Sequence, residues 1–343
     1  MISRRGLLAS AAALSGAAAL SAALPGRALA ATRLRVGYIP IIPMTQLFVL
    51  SGEGWARQAG LELETTSFQS GPAMVQALAS GTLDVAYVGI GPAMVARSKG
   101  IPLKIVAANV VDQVALIGRG ALASAAASAP TAAQAFAEFR RTQGRPAKIA
   151  TLPAGSVPDT VLRYWVRERA GIPAEHIEIV GMGEQQVQQG LLAGAVDGAS
   201  ILEPILTIVR SRLPDARIVA AAGDLFPGQP GAILAVTEQT IARDRDAVTE
   251  LVRLHVRATR FAREEPDRTA AHVAAFIGQG LIEPALLREA LTSGATTFTE
   301  DPRAIMEPTR SMQAFQQTLG QLANPVEVDS LFDLSFYDAV TKG

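Results

Sequence analysis

Two successive series of short aliphatic runs alternating with helical stretches constrain this chain more than any other feature. In the first series, 34–39, 61–68, 83–90 and 103–110 read as strands, with 43–58, 71–80 and 91–100 as the helices between them. After an Ala-rich helical segment at 121–146, strands are expected at 147–152, 177–182, 196–202 and 216–221, and helices at 157–170, 184–193 and 203–212. Consecutive parallel strands need a crossover, usually a helix, so each series implies a parallel sheet with helices on both faces. Two such units in 343 residues suit two domains better than one. The expected fold class is α/β, with two lobes of one architecture.

The segments that join the lobes are also legible. Residues 114–120 and 231–239 look like strands, and both become interlobe crossings if the chain returns to its first lobe. From Asp244 onward the pattern is helical, punctuated by Pro266, Pro284 and Pro302. A helical tail packed on the first lobe is expected; a separate third domain would need a flexible linker that the sequence lacks.

Residues 1–30 read as an address rather than as fold. Arg4-Arg5 precede a stretch without ionisable side chains from Gly6 to Gly26, and Ala28-Leu29-Ala30 supplies a small-x-small cleavage site. The paired arginines resemble a twin-arginine export signal. The alternative is a permanent anchor, since the run is long enough to span a bilayer, but Ala, Gly and Ser dominate it. With cleavage near Ala31, Arg4, Arg5 and Arg27 leave, and 28 basic residues face 31 acidic ones. A chain so balanced has no electrostatic footprint for nucleic acid. It has no cysteine, hence no disulfide, no thiolate nucleophile and no lipid-modified Cys. His176, His255 and His272 stand in unrelated contexts without a second His at a metal spacing, so no metal, cofactor or catalytic residue is expected.

In an open parallel sheet a ligand lies beyond the carboxyl ends of the strands, where helices begin. Four such junctions share one chemistry: Gln69-Ser70-Gly71-Pro72, Gly89-Ile90-Gly91-Pro92, the segment from Pro153 through Gly155-Ser156-Val157-Pro158 to Asp159, and Gly183-Glu184. Glycine lets a backbone amide approach a ligand closely, and proline in a first helical turn gives up only an unpaired donor. Ser70 and Ser156 are placed as N-caps, with Asp159 at capping-box spacing from Ser156. A charge near one helix start gains roughly 0.3–1 kcal/mol when exposed and up to about 2 when partly buried. Several converging starts would supply much of the roughly 8 kcal/mol of a micromolar complex. These loops hold no Lys or Arg, so neutral donors would do that work. Each cluster alone is equally a plain turn; four at strand ends favour a site.

Ile41, Ile42, Ile90, Leu152, Val157 and Met182 would form apolar walls around those donors. Glu203, followed by Pro204, either begins a helix, where its charge is stabilised anyway, or faces the cleft to take a ligand ammonium. Phe226 is either an aromatic lid or an interlobe core residue.

The stretches "FQSGPAMVQALASGTLDVAYVGIGPAM" (68–94), "KIATLPAGSVPDTVLRYWVRERAGI" (148–172) and "VQQGLLAGAVDGASILEPI" (187–205) resemble the nitrate/sulfonate/taurine branch of periplasmic solute-binding proteins of ABC importers, and the similarity spans 34–343. The resemblance implies a periplasmic-binding-protein-like fold of type II, two Rossmann-like lobes joined by hinge strands, here 114–119 and 231–237. It divides the chain into an export signal (1–30), lobe 1 with the tail (31–118 and 224–343) and lobe 2 (119–223). Ligand contacts carried over by position are Gln69, Ser70, Gly71, Gly89, Ile90, Gly155, Ser156 and Glu203. Asp84 and Asp197, in repeated Gly-x-x-Asp segments, are expected to stabilise turns at strand starts. Many relatives carry a polar residue where this chain has Ile90 or Val157, which disfavours nitrate and favours an anion with an apolar body.

The resemblance implies a monomeric periplasmic carrier that captures a small organic anion and delivers it to an inner-membrane permease and its ATPase. Same-fold enzymes of the desulfinase or pyrimidine-precursor synthase type are the second class. A carrier of nitrate, a carboxylate or a thiamin precursor, and a sensory ectodomain, remain alternatives. The missing cysteine and the export signal weigh against an enzyme.

Overall fold

The computed structural model describes residues 31–278 and 282–342; the expected export segment 1–30 lies outside the described residues. Twelve strands run in chain order: β1 (Thr32–Tyr38), β2 (Leu61–Ser67), β3 (Val85–Gly89), β4 (Leu103–Ala108), β5 (Val110–Val111), β6 (Val114–Gly118), β7 (Ala147–Thr151), β8 (Ile177–Gly181), β9 (Gly198–Leu202), β10 (Arg217–Ala220), β11 (Ala232–Thr237) and β12 (Thr297–Phe298). Ten of them form two five-stranded sheets, β2-β1-β3-β11-β4 and β8-β7-β9-β6-β10. Written this way the two orders are one pattern. In each, three parallel strands are followed by one antiparallel strand and then the last. The central strands β3, β6 and β9 bury nearly every residue, as sheets covered on both faces require.

The antiparallel strand of each sheet is the one that arrives from the other lobe. The strand 114–118, expected in lobe 1, pairs instead with β9 and β10, so lobe 2 begins before Val114. β11 returns between β3 and β4, as expected of a first-lobe strand. The connections themselves are the short segments 109–113 and 229–231. Gln229, fully buried, accepts at Oε1 from the Gln113 and Val114 amides (3.1 and 2.8 Å) and donates from Nε2 to the Val114 carbonyl (3.3 Å). Gln113 reciprocates by accepting from the Ala232 amide (3.1 Å). Main-chain bonds Asn109–Ala232 (2.9 Å) and Asp112–Gln229 (3.0 Å) complete the pairing.

The tail departs from expectation. The helix Arg245–Glu264 packs on lobe 1 through Val248, Leu251, Val252, His255 and Thr259, spaced three and four apart. His255 Nε2 sits 2.7 Å from the Ala108 carbonyl, and burial pushes its pKa down to about 4, so it is a neutral core residue. The helix Arg303–Thr318, however, spans both lobes. Gln316 donates to Thr160 Oγ1 (3.3 Å) and Gln321 to Asp159 Oδ2 (3.0 Å) on lobe 2, while Asn324 donates to the Ser98 carbonyl (2.9 Å) on lobe 1. Phe226 packs on Tyr164 at a tilt of 53°, 4.6 Å between centroids, and Phe315 meets that same ring edge-on. Phe226 is therefore a core residue rather than a lid.

Asp84 and Asp197 stabilise strand starts in parallel fashion. Asp84 accepts from the Arg35 amide (2.9 Å) and Asp197 from the Lys148 amide (2.8 Å), with Arg35 and Arg145 closing on the carboxylates. Burial works against the Asp84 charge, but bonds from Arg35 and Thr240 outweigh it and hold the pKa down at about 2. Asp84→Asn should therefore cost about 2 kcal/mol at neutral pH. Because the folded-state pKa is depressed, that stabilisation is present above the unfolded value of 3.8 and lost as the pH falls through about 2. Urea unfolding of both forms across this range checks it: the gap should narrow with acid.

Candidate functional site

The carboxyl ends of β1 and β3 face those of β7 and β9, and a cavity of about 20 Å³ lies between them. Ile39, Ile41, Met44, Gly71, Gly89 and Pro92 line it from lobe 1, and Leu152, Ser156, Val157, Pro158 and Leu202 from lobe 2. Such a volume holds about one water and no organic molecule, so the lobes stand closed on one another here. The walls touch directly. A Cβ placed on Gly89 would stand 2.9 Å from Val157 Cγ2, and one on Gly91 would stand 3.0 Å from the Gly155 carbonyl oxygen. Gly155, at φ +85°, also adopts a backbone conformation that favours glycine.

Three helices begin at this seam, and their first turns show which amides remain available. Ser70 Oγ accepts from the Ala73 amide (3.4 Å), and Ser156 Oγ from Asp159 (3.3 Å); both serines act as the N-caps their sequence positions suggest. The Ile90 amide is spent on the Gly231 carbonyl (2.9 Å) and that of Ser156 on Pro153 (3.0 Å). Among the described residues, the amides of Gly71, Gly91 and Val157 carry no hydrogen bond. Each is followed by a proline, which has no N–H. The donors thus number fewer than the loops suggest, but they come from both lobes.

Of the thirteen wall and contact residues singled out, Ile41, Gly71, Gly89, Leu152, Ser156 and Val157 line the cavity. Ser70, Ile90 and Gly155 shape it from behind as a cap, a buried first-turn residue and a contact for Gly91. Gln69 reaches Gly183 across the lobe boundary, its Oε1 3.9 Å from a Cβ built there. Ile42 donates its amide to the Glu203 carbonyl (3.1 Å), also across that boundary. Met182 lines a shallow surface groove beside Lys148. Glu203 takes the helix-start role: both carboxylate oxygens are engaged by Thr207, from its amide (2.9 Å) and its hydroxyl (2.8 Å), and it does not line the cavity. Burial pushes its pKa up, against the Thr207 bonds.

Two side chains escaped the sequence reading. Gln113, the hinge amide, also lines the cavity, its Oε1 fixed by Ala232. Its only sequence signal is the short polar break Asp112-Gln113 between two apolar strands. Glu184, named with Gly183 as the fourth junction but not as a ligand contact, is 6% exposed and lines a second interlobe chamber of about 380 Å³ with Pro40, Gln188, Pro204, Arg212 and Ile277. Pro40 is the chain neighbour of the cavity residues Ile39 and Ile41. Burial pushes the Glu184 pKa up to about 8, with no cation to hold it down.

The chain matches the NMT1-like family over residues 27–278. A Brucella abortus protein provisionally named as a binding protein is 26% identical over 332 residues, which cover 92% of this chain and 95% of that one. The alkanesulfonate-binding protein of Xanthomonas axonopodis pv. citri, solved bound to MOPS, superposes with a TM-score of 0.69 at 16% identity, covering 88% of this chain and 98% of its own. The periplasmic nitrate-binding protein of Synechocystis PCC 6803 gives 0.74 at 15% identity, covering 91% and 88%. These superpositions place the fold, α/β with two lobes of the periplasmic-binding-protein kind, where the sequence placed it.

The buried acid makes stability depend on pH in a direction opposite to Asp84. A folded-state pKa raised from 4.5 to about 8 adds stability that is fully present below 4.5 and lost as the pH rises through about 8. Glu184→Gln should remove that loss. The wild-type stability relative to the variant should fall by up to about 1.4 kcal/mol per pH unit in between, measured by chemical denaturation.

Proposed function

The chain belongs to the NMT1-like family, and on that footing we propose that it is the extracytoplasmic substrate-binding component of an ABC importer. It captures a small organic anion between its lobes and presents the closed form to an inner-membrane permease and its ATPase. The observation that carries this reading is the seam itself: the unspent first-turn amides of Gly71 on one lobe and of Val157 on the other belong to residues that border one cavity, and that of Gly91 lies beside it, against Gly155. Amides at helix starts stabilise negative charge without a formal cation. A guest touching both lobes favours the closed state over the open one, which is what couples binding to delivery.

The apolar walls favour an anion with a hydrocarbon body, an aliphatic sulfonate or a taurine-like molecule, over nitrate. Only Gln113 and Ser156 among the cavity residues have polar side chains, and none is charged. That inventory also supports a carrier over an enzyme, since no nucleophile paired with a base stands at the seam. The segment 1–30 fits export by the twin-arginine route to the periplasm, and a monomer suits a carrier that docks one lobe on each half of a permease. Among the described residues, no helix is long and apolar enough to cross a membrane.

Thermal-shift titration of the protein from Ala31 onward tests the reading. Propanesulfonate at tens of times its Kd should stabilise by roughly 2 kcal/mol, with nitrate saturating only at much higher concentration. Gly89→Val places its side chain against Val157 and should hold the lobes apart: the variant should keep its circular dichroism spectrum but lose the ligand-induced shift. Nitrate saturating below propanesulfonate, or an unchanged shift in the variant, contradicts the assignment.

A further inference from the structure

Along the solvent side of the helix Arg245–Glu264, lobe 1 carries a depression of about 530 Å³ that shares no residue with the interlobe cavity. Its volume lies within the range of small-molecule sites. Trp55, Val256, Phe261 and Val340 give it apolar walls, and charged side chains of both signs stand around them. Some of those charges are already spent. Arg253 pairs with Glu250, and Arg268 pairs with Glu53 (2.9 Å). Arg257 and Arg260, one turn apart, have no ion-pair or side-chain hydrogen-bond partner among the described residues, and neither do Glu264 and Glu265.

Exposed charges can rest on water alone. What distinguishes these four is their placement around one concavity with apolar walls. Arg260 and Glu264 are four residues apart, a spacing at which opposite charges meet along a helix, yet they do not pair. Arg257 lies over Trp55, its guanidinium carbon 3.6 Å from the ring centroid. That cation–π contact fixes the group and leaves its N–H donors free for a guest. Two cations and two anions that do not neutralise one another suit a molecule that brings both signs itself.

We propose that this depression is a second binding site, for a phosphate ester that carries an ammonium group. Arg257 and Arg260 take the phosphate, Glu264 and Glu265 the ammonium, and Trp55 and Val340 pack against the carbon skeleton. A guanidinium grips an oxyanion through a two-pronged fork. A carboxylate satisfies one such fork, whereas a phosphate has oxygens enough for two guanidiniums on successive turns. The inference does not depend on the interlobe carrier reading. A free ester and the headgroup of phosphatidylethanolamine offer the same chemistry, and the experiment separates them.

Calorimetric titration with phosphoethanolamine, inorganic phosphate and ethanolamine reads the site. Phosphoethanolamine should bind with a Kd below about 1 mM, and at least about tenfold more tightly than either fragment. Arg260→Gln, which leaves the Trp55 contact in place, should weaken that binding about tenfold or more, the worth of a charge-assisted bond. Glu264→Gln combined with Glu265→Gln should bring phosphoethanolamine and phosphate to equal affinity. Melting temperatures check the fold, and propanesulfonate titrations of the variants should match the wild type. Sedimentation with phosphatidylethanolamine vesicles identifies the source: pelleting that Arg260→Gln abolishes assigns the lipid headgroup, and binding of the free ester without pelleting assigns a soluble one. Absence of binding in both forms, equal wild-type affinity for phosphate and phosphoethanolamine, or unchanged binding in Arg260→Gln overturns the proposal and leaves the carrier reading standing.

Discussion

Two buried glutamine side chains hold the place where the chain passes between its lobes, and the remaining structure depends on that junction. Gln229 pairs with the main chain at Gln113 and Val114, and Gln113 pairs with Ala232. The carboxamides supply what a short crossing cannot supply from its own backbone: acceptors for the Gln113, Val114 and Ala232 amides and, from Gln229, a donor to the Val114 and Ala222 carbonyls. Each such bond contributes roughly 1 kcal/mol net, but losing one partner strands a buried polar group at about 1–3 kcal/mol. The crossing strands therefore enter their sheets in fixed register, and the carboxyl ends of the two sheets meet at one seam. Gln113 also lines the cavity, so the hinge and the interlobe cavity share a side chain.

A carrier must open without coming apart, and the tail bears on that requirement. The bonds from Gln316 and Gln321 to the helix start at Asp159-Thr160 form a tie between lobes beyond the two crossings. The contact of Ile42 with Glu203 is another. To these polar contacts the seam adds apolar ones, Val157 against Gly89 and Phe315 against Tyr164, and a guest that bridges the seam would replace some of what opening removes. A bistable junction of this kind is what a ligand of modest affinity can shift.

Much of the fold was legible because parallel sheets write themselves as separated aliphatic runs. Residues 147–152 and 177–182 were read within a residue of the observed β7 and β8. The lobe assignment of 114–118 was not legible, because an all-apolar strand such as Val114–Gly118 carries the same signal in either sheet. The break that divides 121–146 into Gly120–Ser128 and Ala132–Gln143 was also missed, since alanine masks helix ends. Ser70 and Ser156 were readable as caps because capping is local chemistry. Glu203 was ambiguous until Thr207 was seen to occupy both oxygens, a matter of side-chain geometry. Glu184 was legible as part of a junction but not as buried, because Pro40 and Ile277 of lobe 1 share its chamber, which no local pattern reports.

The central claim is that amides from both lobes converge on one anionic guest. Amide-resolved nuclear magnetic resonance during a propanesulfonate titration tests it most directly. The account requires the Gly71, Gly91 and Val157 amide protons to move downfield together, with one shared Kd. Saturable binding that leaves these three signals in place, or that shifts only those of one lobe, would contradict it.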